Sequence, residues 1–223
     1  MFLALWHNVD IMKLESNGII VSMRPFGERD AVAHIFTESH GVLSGMLRGA
    51  VVAKNKPMVG QMGAVSWNAR LDSQLGAFHF EAQKNLAIGA MIDSGKLKYI
   101  NSMFALIETL LPEREPYPNL YAATITTLAD INPDAYLKWE LDLLRDLGYA
   151  LDLTKCSGCG RTDGLVYLSP RTGRAVCADC GAPYVDKLFR LPINLRTTQR
   201  FLESVCAQQD VSVPDYRIFL QNS

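Results

Sequence analysis

No uninterrupted apolar run in this chain of 223 residues approaches the ~18 residues that a membrane-crossing helix needs. The opening stretch, MFLALWHNVDIM, has no basic residues ahead of its apolar ones and no small-residue cleavage site, so a secretory signal is not expected there. Charge of one sign is also missing. The 22 Lys and Arg are matched by 23 Asp and Glu, a formal net charge of −1. That balance excludes a chain held to polyanions by bulk charge and leaves only local patches for the purpose. The signatures of phosphate-binding loops, dinucleotide folds, nucleophile elbows and zinc proteases do not occur. Histidine is scarce. His7, His34, His40 and His79 are scattered over the first half, and His34 and His79 fall on expected strands, where packed or barrel-face roles are expected. Glu113 and Glu115, in the Pro-bounded loop PEREPYP, are expected to be solvated. With no nucleophile, base and oxyanion donor together, the expectation is a binding protein and not an enzyme.

What is present is ample apolar content, 48% of residues, enough for a packed core. Residues 18–83 read as five short strands: GIIVSM, AVAHIFT, GVLSGMLRGAVV, VGQMGAVSWNARL and GAFHFEAQ, separated by Gly-containing or charged turns. Short strands at this spacing imply a small barrel or sandwich, and Gly45, Gly49 and Gly63 suit the bulges and bends that close one. The period then changes to that of helices at 93–111, 119–130, 134–147 and 195–208. Asn119 is available as an N-cap. Leu137, Leu141, Leu144 and Leu147 share one face flanked by Trp139 and Leu143, and Gly148 stops that helix. The expected architecture is α+β: a small five-stranded barrel over 1–83, then a helical domain over 84–223 with a cysteine module inserted at 153–184. Met12 offers an alternative start, with residues 1–11 as a loosely held extension.

Four of the five cysteines form CSGCG and CADCG, two Cys-x-x-Cys-Gly units with seventeen residues between them. Cys156, Cys159, Cys177 and Cys180 thus have the spacing of a four-thiolate zinc site. Each tight turn aims two sulfurs at one ion. Gly160 and Gly181 are expected at positive φ, turning backbone N–H groups toward the thiolates. Spacing does not separate zinc from iron. Four thiolates close the coordination shell, so a structural ion is expected and a metal-dependent hydrolase is not. In the hairpin between the pairs, Arg161, Arg171 and Arg174 are expected to be exposed, with a solvated loop favoured over contact with phosphate. Cys206, on the last expected helix, reads as a buried apolar residue. Cysteines without an export signal suit a reducing compartment, hence the cytoplasm.

Charge read by region is less even. Between Arg24 and Arg70 there are six basic residues (Arg24, Arg29, Arg48, Lys54, Lys56, Arg70) against Glu28, Asp30 and Glu38, a local excess of +3. Small barrels bind nucleic acid by running phosphates over basic loops and stacking bases on aromatics. Phe26 and Trp67 are the candidate platforms, with core filling the favoured role for Trp67.

The stretch GIIVSMRPFGERDAVAHIFTESHGVLSGMLRGA resembles the amino-terminal signature of the bacterial RecO family of DNA repair and recombination mediators. WNARLDSQLGAFHFEA is similar to its next two strands, and LLPEREPYPNLY and KWELDLLRDLGYALDLTKCSGCG to its helical domain and zinc module. The resemblance implies an OB-type barrel followed by a helical domain with one structural zinc. It also implies binding of single- and double-stranded DNA, strand annealing, and help in replacing single-stranded-DNA-binding protein with the RecA recombinase. RecR and the acidic tail of the single-strand-binding protein are the implied partners, and a cytoplasmic, nucleoid-associated location follows. Arg24, Arg29, Arg48 and Arg70 match places where the family is often basic; Lys54 and Lys56 match its basic loop in character alone. GAVVAKNKPM replaces a denser run of arginines, which implies weak, salt-sensitive DNA binding. Arg114, Lys138 and Arg145 are the cations available to an acidic tail in the helical region. The low net charge keeps open an alternative, a protein–protein adaptor with little DNA affinity of its own.

Overall fold

The computed structural model describes residues 12–54, 56–69 and 75–221. The expected extension at 1–11 and Arg70 therefore lie outside the described residues. The chain divides into two compact units, one of residues 1–89 with 111–121, the other of 90–110 with 122–223.

In the first unit β1 (Met12–Phe26), β2 (Asp30–Thr37), β3 (Gly41–Leu47), β4 (Gln61–Ala69) and β5 (Gly76–Asn85) close into a barrel of order β1-β2-β3-β5-β4. β1 is long enough to serve two neighbours. Met12–Ile19 pair with β4, Gly18–Phe26 pair with β2, and a bulge between Ile20 and Ser22 turns the strand from one to the other. Alternation sends Ile20, Ala33, Ile35, Leu43, Val65, Trp67 and Phe78 into the core. The barrel closes on a parallel pairing of β3 with β5, where Gly45 lies opposite Gly76. Both must be glycine for steric reasons: a Cβ on Gly45 would stand 2.7 Å from the Phe78 ring, and one on Gly76 would overlap the Trp67 indole. Of the three glycines expected at bulges, Gly63 does flank one, between Met62 and Gly63. Gly45 serves close packing instead, and Gly49 lies beyond β3 in a turn at φ +69°.

Residues 111–121 complete this unit. Arg114 N donates to Val42 O at 2.9 Å, and the Arg114 guanidinium lies 4.9 Å from the centre of the Trp67 ring. Tyr121 meets Phe36 edge-on at 5.4 Å. Trp67 is 1% exposed and donates from Nε1 to Ser44 O at 2.8 Å, so it is a core residue.

The other elements are α1 (Ile88–Met91), α2 (Ser94–Leu110), α3 (Pro118–Ala129), α4 (Pro133–Asp146), α5 (Ala178–Gly181), α6 (Leu195–Gln209) and α7 (Asp215–Gln221). Within the second unit the cysteine segment stands between α4 and α6, as an insertion into the helical layer. It carries a small sheet of β6 (Leu165–Leu168), β7 (Ala175–Cys177) and β8 (Phe189–Arg190), in the order β7-β6-β8. Two sequence expectations need correction. Asn119 lies inside the first turn of α3, which begins on Pro118, because proline at a helix start leaves no N–H to cap. The buried face of α4 is Tyr136, Trp139, Glu140, Leu143 and Leu144, rotated away from Leu137, Leu141 and Leu147. A fully buried ion pair lies on that face. Arg217 of α7 donates to Glu140 through Nε (2.6 Å) and Nη2 (2.9 Å), and Nη2 also reaches Leu195 O (2.8 Å) and Thr198 Oγ1 (3.1 Å). Tyr136 donates to the same carboxylate at 2.7 Å, and its hydroxyl lies 2.7 Å from Ser102 Oγ. Burial and the Glu140 charge together push the Tyr136 phenol well above its ordinary pKa. One shared network thus ties α2, α4, α6 and α7.

Candidate nucleic-acid interface and metal centre

The basic residues collect on two neighbouring loops of the barrel. The β1–β2 turn carries Arg29, with Arg24 exposed on the last turnward part of β1; the β3–β4 loop carries Arg48, Lys54 and Lys56, all exposed. Two hydrogen bonds from backbone N–H groups hold the loops side by side. Val51 N donates to Arg29 O at 2.9 Å, and Gly49 N donates to Asp30 Oδ1 at 2.7 Å. The second bond engages one of the two acidic groups there, so its charge is partly spent on the backbone. Among the described residues this tip holds five cations against Glu28 and Asp30. Phe26 stands in the same turn, 59% exposed, and Val52 and Met58 add exposed apolar surface from the neighbouring loop. A large apolar ring left in water beside cations is the arrangement that lets a base stack while its phosphates are neutralised. Val52 and Met58 escaped the sequence reading, because VV and PM inside a basic loop carry no periodicity to place them on a surface.

Among the described residues the histidines do not assemble a site; His7 lies outside them. His34 Nδ1 lies 2.9 Å from Ser22 Oγ on the outer barrel wall, and His79 is exposed with Nε2 3.2 Å from Glu81. Of the cations available to an acidic tail, Arg145 is paired with Asp142 and Asp146, and Arg114 lies against Trp67 in the first unit.

The four cysteines meet. The sulfurs of Cys156, Cys159, Cys177 and Cys180 all lie within 4.8 Å of one another. A tetrahedral thiolate site with metal–sulfur bonds of ~2.3 Å has sulfurs about 3.8 Å apart, and Cys159 and Cys177 stand at 3.8 Å. Cys156 Sγ accepts from the backbone N–H of Gly158 and of Cys177, each at 3.3 Å. Those N–H groups, that of Cys177 first, draw the Cys156 thiol down to about 6, whereas hydrogen bonds with the neighbouring cysteines push Cys180 up to about 12. Opposed shifts of this kind belong to thiols competing for charge in one small space, which a divalent cation at their centre would relieve. The donor set and its dimensions fit one four-coordinate metal ion.

Gly160 has the positive φ expected of it (+80°), and its N–H closes the first knuckle on Cys156 O at 2.9 Å. Gly181 does not: its φ is −83°, inside a short helix. It is glycine because a Cβ there would come within 2.5 Å of the Tyr167 ring. Arg161, Arg171 and Arg174 are exposed. Arg161 belongs to the cluster: its carbonyl accepts from Cys156 N at 2.8 Å, its guanidinium pairs with Asp179 at 3.0 Å, and thiolate charge on Cys177 and Cys159 raises its pKa. Cys206 is buried, at 3% exposure, on α6. Among the described residues no helix is long and apolar enough to cross a membrane.

Two family models match the chain. "Recombination protein O N terminal" covers residues 12–82, and "Recombination protein O C terminal" covers residues 92–212. The DNA repair protein RecO of Ruegeria sp. (strain TM1040) is 38% identical over 219 residues, 88% of this chain and 90% of that protein. That of Roseobacter denitrificans is 40% identical over 193 residues, 83% of this chain and 80% of the relative. A third, from Rhodospirillum centenum, is 38% identical over 189 residues, 81% and 76% of the two chains.

Proposed function

The chain belongs to the RecO family of DNA repair proteins, with a role in DNA repair and recombination, and from that premise we propose that it is a non-enzymatic mediator that anneals strands. It binds single- and double-stranded DNA and speeds pairing of complementary strands. With RecR, it helps load the RecA recombinase onto DNA coated with single-strand-binding protein, whose acidic tail it recognises. The action is in the cytoplasm, at the nucleoid. The observation that carries this reading is the barrel tip, where two neighbouring loops expose Arg24, Arg29, Arg48, Lys54 and Lys56 together with Phe26; Arg70 is assigned to the same DNA path on sequence grounds. Lowering phosphate repulsion from one side leaves base edges free to pair, which is what annealing requires.

The metal of the four-cysteine centre is zinc in this reading, and its role is structural. Cys156, Cys159, Cys177 and Cys180 would hold it, and the bound ion would supply the cross-link that a short loop-rich segment lacks. On sequence grounds the barrel is assigned to residues 1–83 and the helical domain to 84–223, with the metal module at 153–184; β5 carries the barrel on to Asn85, and residues 111–121 group with it.

The test is annealing of complementary oligonucleotides without nucleotide, bare and then coated with single-strand-binding protein, at two salt concentrations. Acceleration in both states is expected. Each phosphate contact on a single strand contributes a log–log salt slope of about −0.7, so reversing Arg48, Lys54 and Lys56 to Glu should flatten the slope by about 2. Unchanged affinity and slope would reject the tip as the DNA site. The formal charge of −1 favours a second reading, an adaptor that binds proteins and little DNA. Partner capture with no oligonucleotide binding at low salt would select it.

A further inference from the structure

A second basic stretch of the chain lies outside the barrel. Residues 165–200 contain Arg171, Arg174, Lys187, Arg190, Arg196 and Arg200 against Asp179 and Asp186, an excess of +4 in a chain of net −1. All six cations are exposed. Asp179 is already paired with Arg161 at 3.0 Å, which leaves less negative charge to offset them.

The same stretch forms a cavity of about 560 Å³ against the cysteine module, walled by Pro170, Val176, Tyr184 and Leu188, with Arg171 and Lys187 in its lining. Tyr184 departs from helical geometry within the short turn Ala182–Lys187 (φ −127°, ψ 15°) and is 59% exposed. A ring in water beside an apolar cavity and two cations offers a stacking face and a pair of phosphate partners together. The cavity has ample room for one nucleoside, in the range usual for small-ligand pockets.

We propose that the metal module carries a second nucleic-acid site, in which a single-strand base lies against Tyr184 in this cavity while Arg171 and Lys187 hold its flanking phosphates. The occupant is a nucleic-acid strand and not an acidic peptide, because an exposed ring at an apolar cavity flanked by two cations suits a base between its phosphates, whereas an acidic peptide would use the cations and leave the ring unpartnered. The proposal rests on the DNA-binding reading above and adds to it. A protein that anneals strands gains from a contact for each strand, and the module supplies one that the barrel tip does not.

The experiment uses the full-length, metal-loaded chain and labelled oligothymidylate, followed by fluorescence anisotropy against salt. Arg171→Glu with Lys187→Glu should flatten the log–log slope by about 1.4, from two contacts at about 0.7 each. Tyr184→Ala should weaken single-strand binding by about 5- to 100-fold with the slope unchanged, Tyr184→Phe should restore it, and duplex binding should not move. Metal content and circular dichroism confirm that each variant is folded. If the module variants bind as the wild type does while reversal of Arg48, Lys54 and Lys56 still weakens binding, the second site is overturned and the barrel assignment stands. If the module variants weaken binding and the barrel variants do not, the second site stands and the tip is rejected. Loss of oligo-aspartate binding with oligothymidylate binding intact would make the cavity a peptide site and overturn the proposal.

Discussion

Replacing Arg217 with Met removes four hydrogen bonds at once, two to Glu140, one to Leu195 O and one to Thr198 Oγ1. Glu140 stays at 0% exposure with the Tyr136 hydroxyl as its remaining partner. Removing one member of a buried ion pair costs about 3–5 kcal/mol, because the other charge is left uncompensated. Against a domain stability of about 5–15 kcal/mol this is a large fraction, and it corresponds to a fall in melting temperature of roughly 10–15 °C for a chain of this size. The double variant Glu140→Leu/Arg217→Met should behave differently. It removes both charges and fills the space with carbon, so its cost should be about 0–2 kcal/mol. Arg217 Nη1 has no hydrogen-bond partner, so the native pair is itself imperfectly satisfied and its replacement is correspondingly cheap. Urea unfolding of wild type, both singles and the double, with metal saturating, closes the cycle. The reasoning fails if Arg217→Met costs less than about 1 kcal/mol, or if the double variant costs the sum of the singles.

Tyr121 is buried, its hydroxyl has no hydrogen-bond partner, and burial and the Glu38 charge push its pKa up to about 12. The folded state therefore holds the phenol proton longer than the unfolded state does, so this group's contribution is intact below pH 10 and falls as pH rises from 10 towards 12. Tyr121→Phe keeps the edge contact with Phe36, should be neutral or stabilising by about 1 kcal/mol in denaturant unfolding, and should remove that alkaline loss. Gly41→Ala should destabilise the barrel unit by about 2 kcal/mol or more, because φ is +65° and the new Cβ would overlap the backbone of Glu115; a melting temperature equal to wild type would contradict it. Cys177→Ser, or chelation, should raise hydrogen exchange across 153–190 while strands β1 to β5 stay protected, and uniform protection would show that the module orders itself without metal.

The barrel was legible because alternation and turn residues act locally, and the cysteine centre because two knuckles at that spacing have few other uses. What could not be read was non-local. α4 looks from its leucines as though it buries Leu137 and Leu141, yet the buried face includes Glu140, whose partner lies 77 residues away. A sequence rule that sends carboxylates to the surface has no means of finding Arg217. Gly181 illustrates a subtler case: a glycine is required, but by the Tyr167 ring and not by its own backbone angle. The cations of 165–200 do not announce themselves as a group: Arg171 and Arg174 read first as a solvated loop beside the more conspicuous cysteines, and Lys187, Arg190, Arg196 and Arg200 fall outside that loop.

Residues 111–121 return to the barrel after a helix that belongs to the other unit, and this has a consequence for biosynthesis. When residue 89 leaves the ribosome all five strands exist, but Arg114 and Tyr121, which cover Trp67 and Phe36, do not. At about 5–20 residues per second the nascent barrel waits roughly 2–6 s for them. During that interval its Trp67 and Phe36 lack their final covering, so the unit reaches its finished form only after all of α2 has also been made. A gene fragment ending near residue 89 would hold the chain permanently at that unfinished stage, and it would be a poor source of isolated barrel even though every strand is encoded.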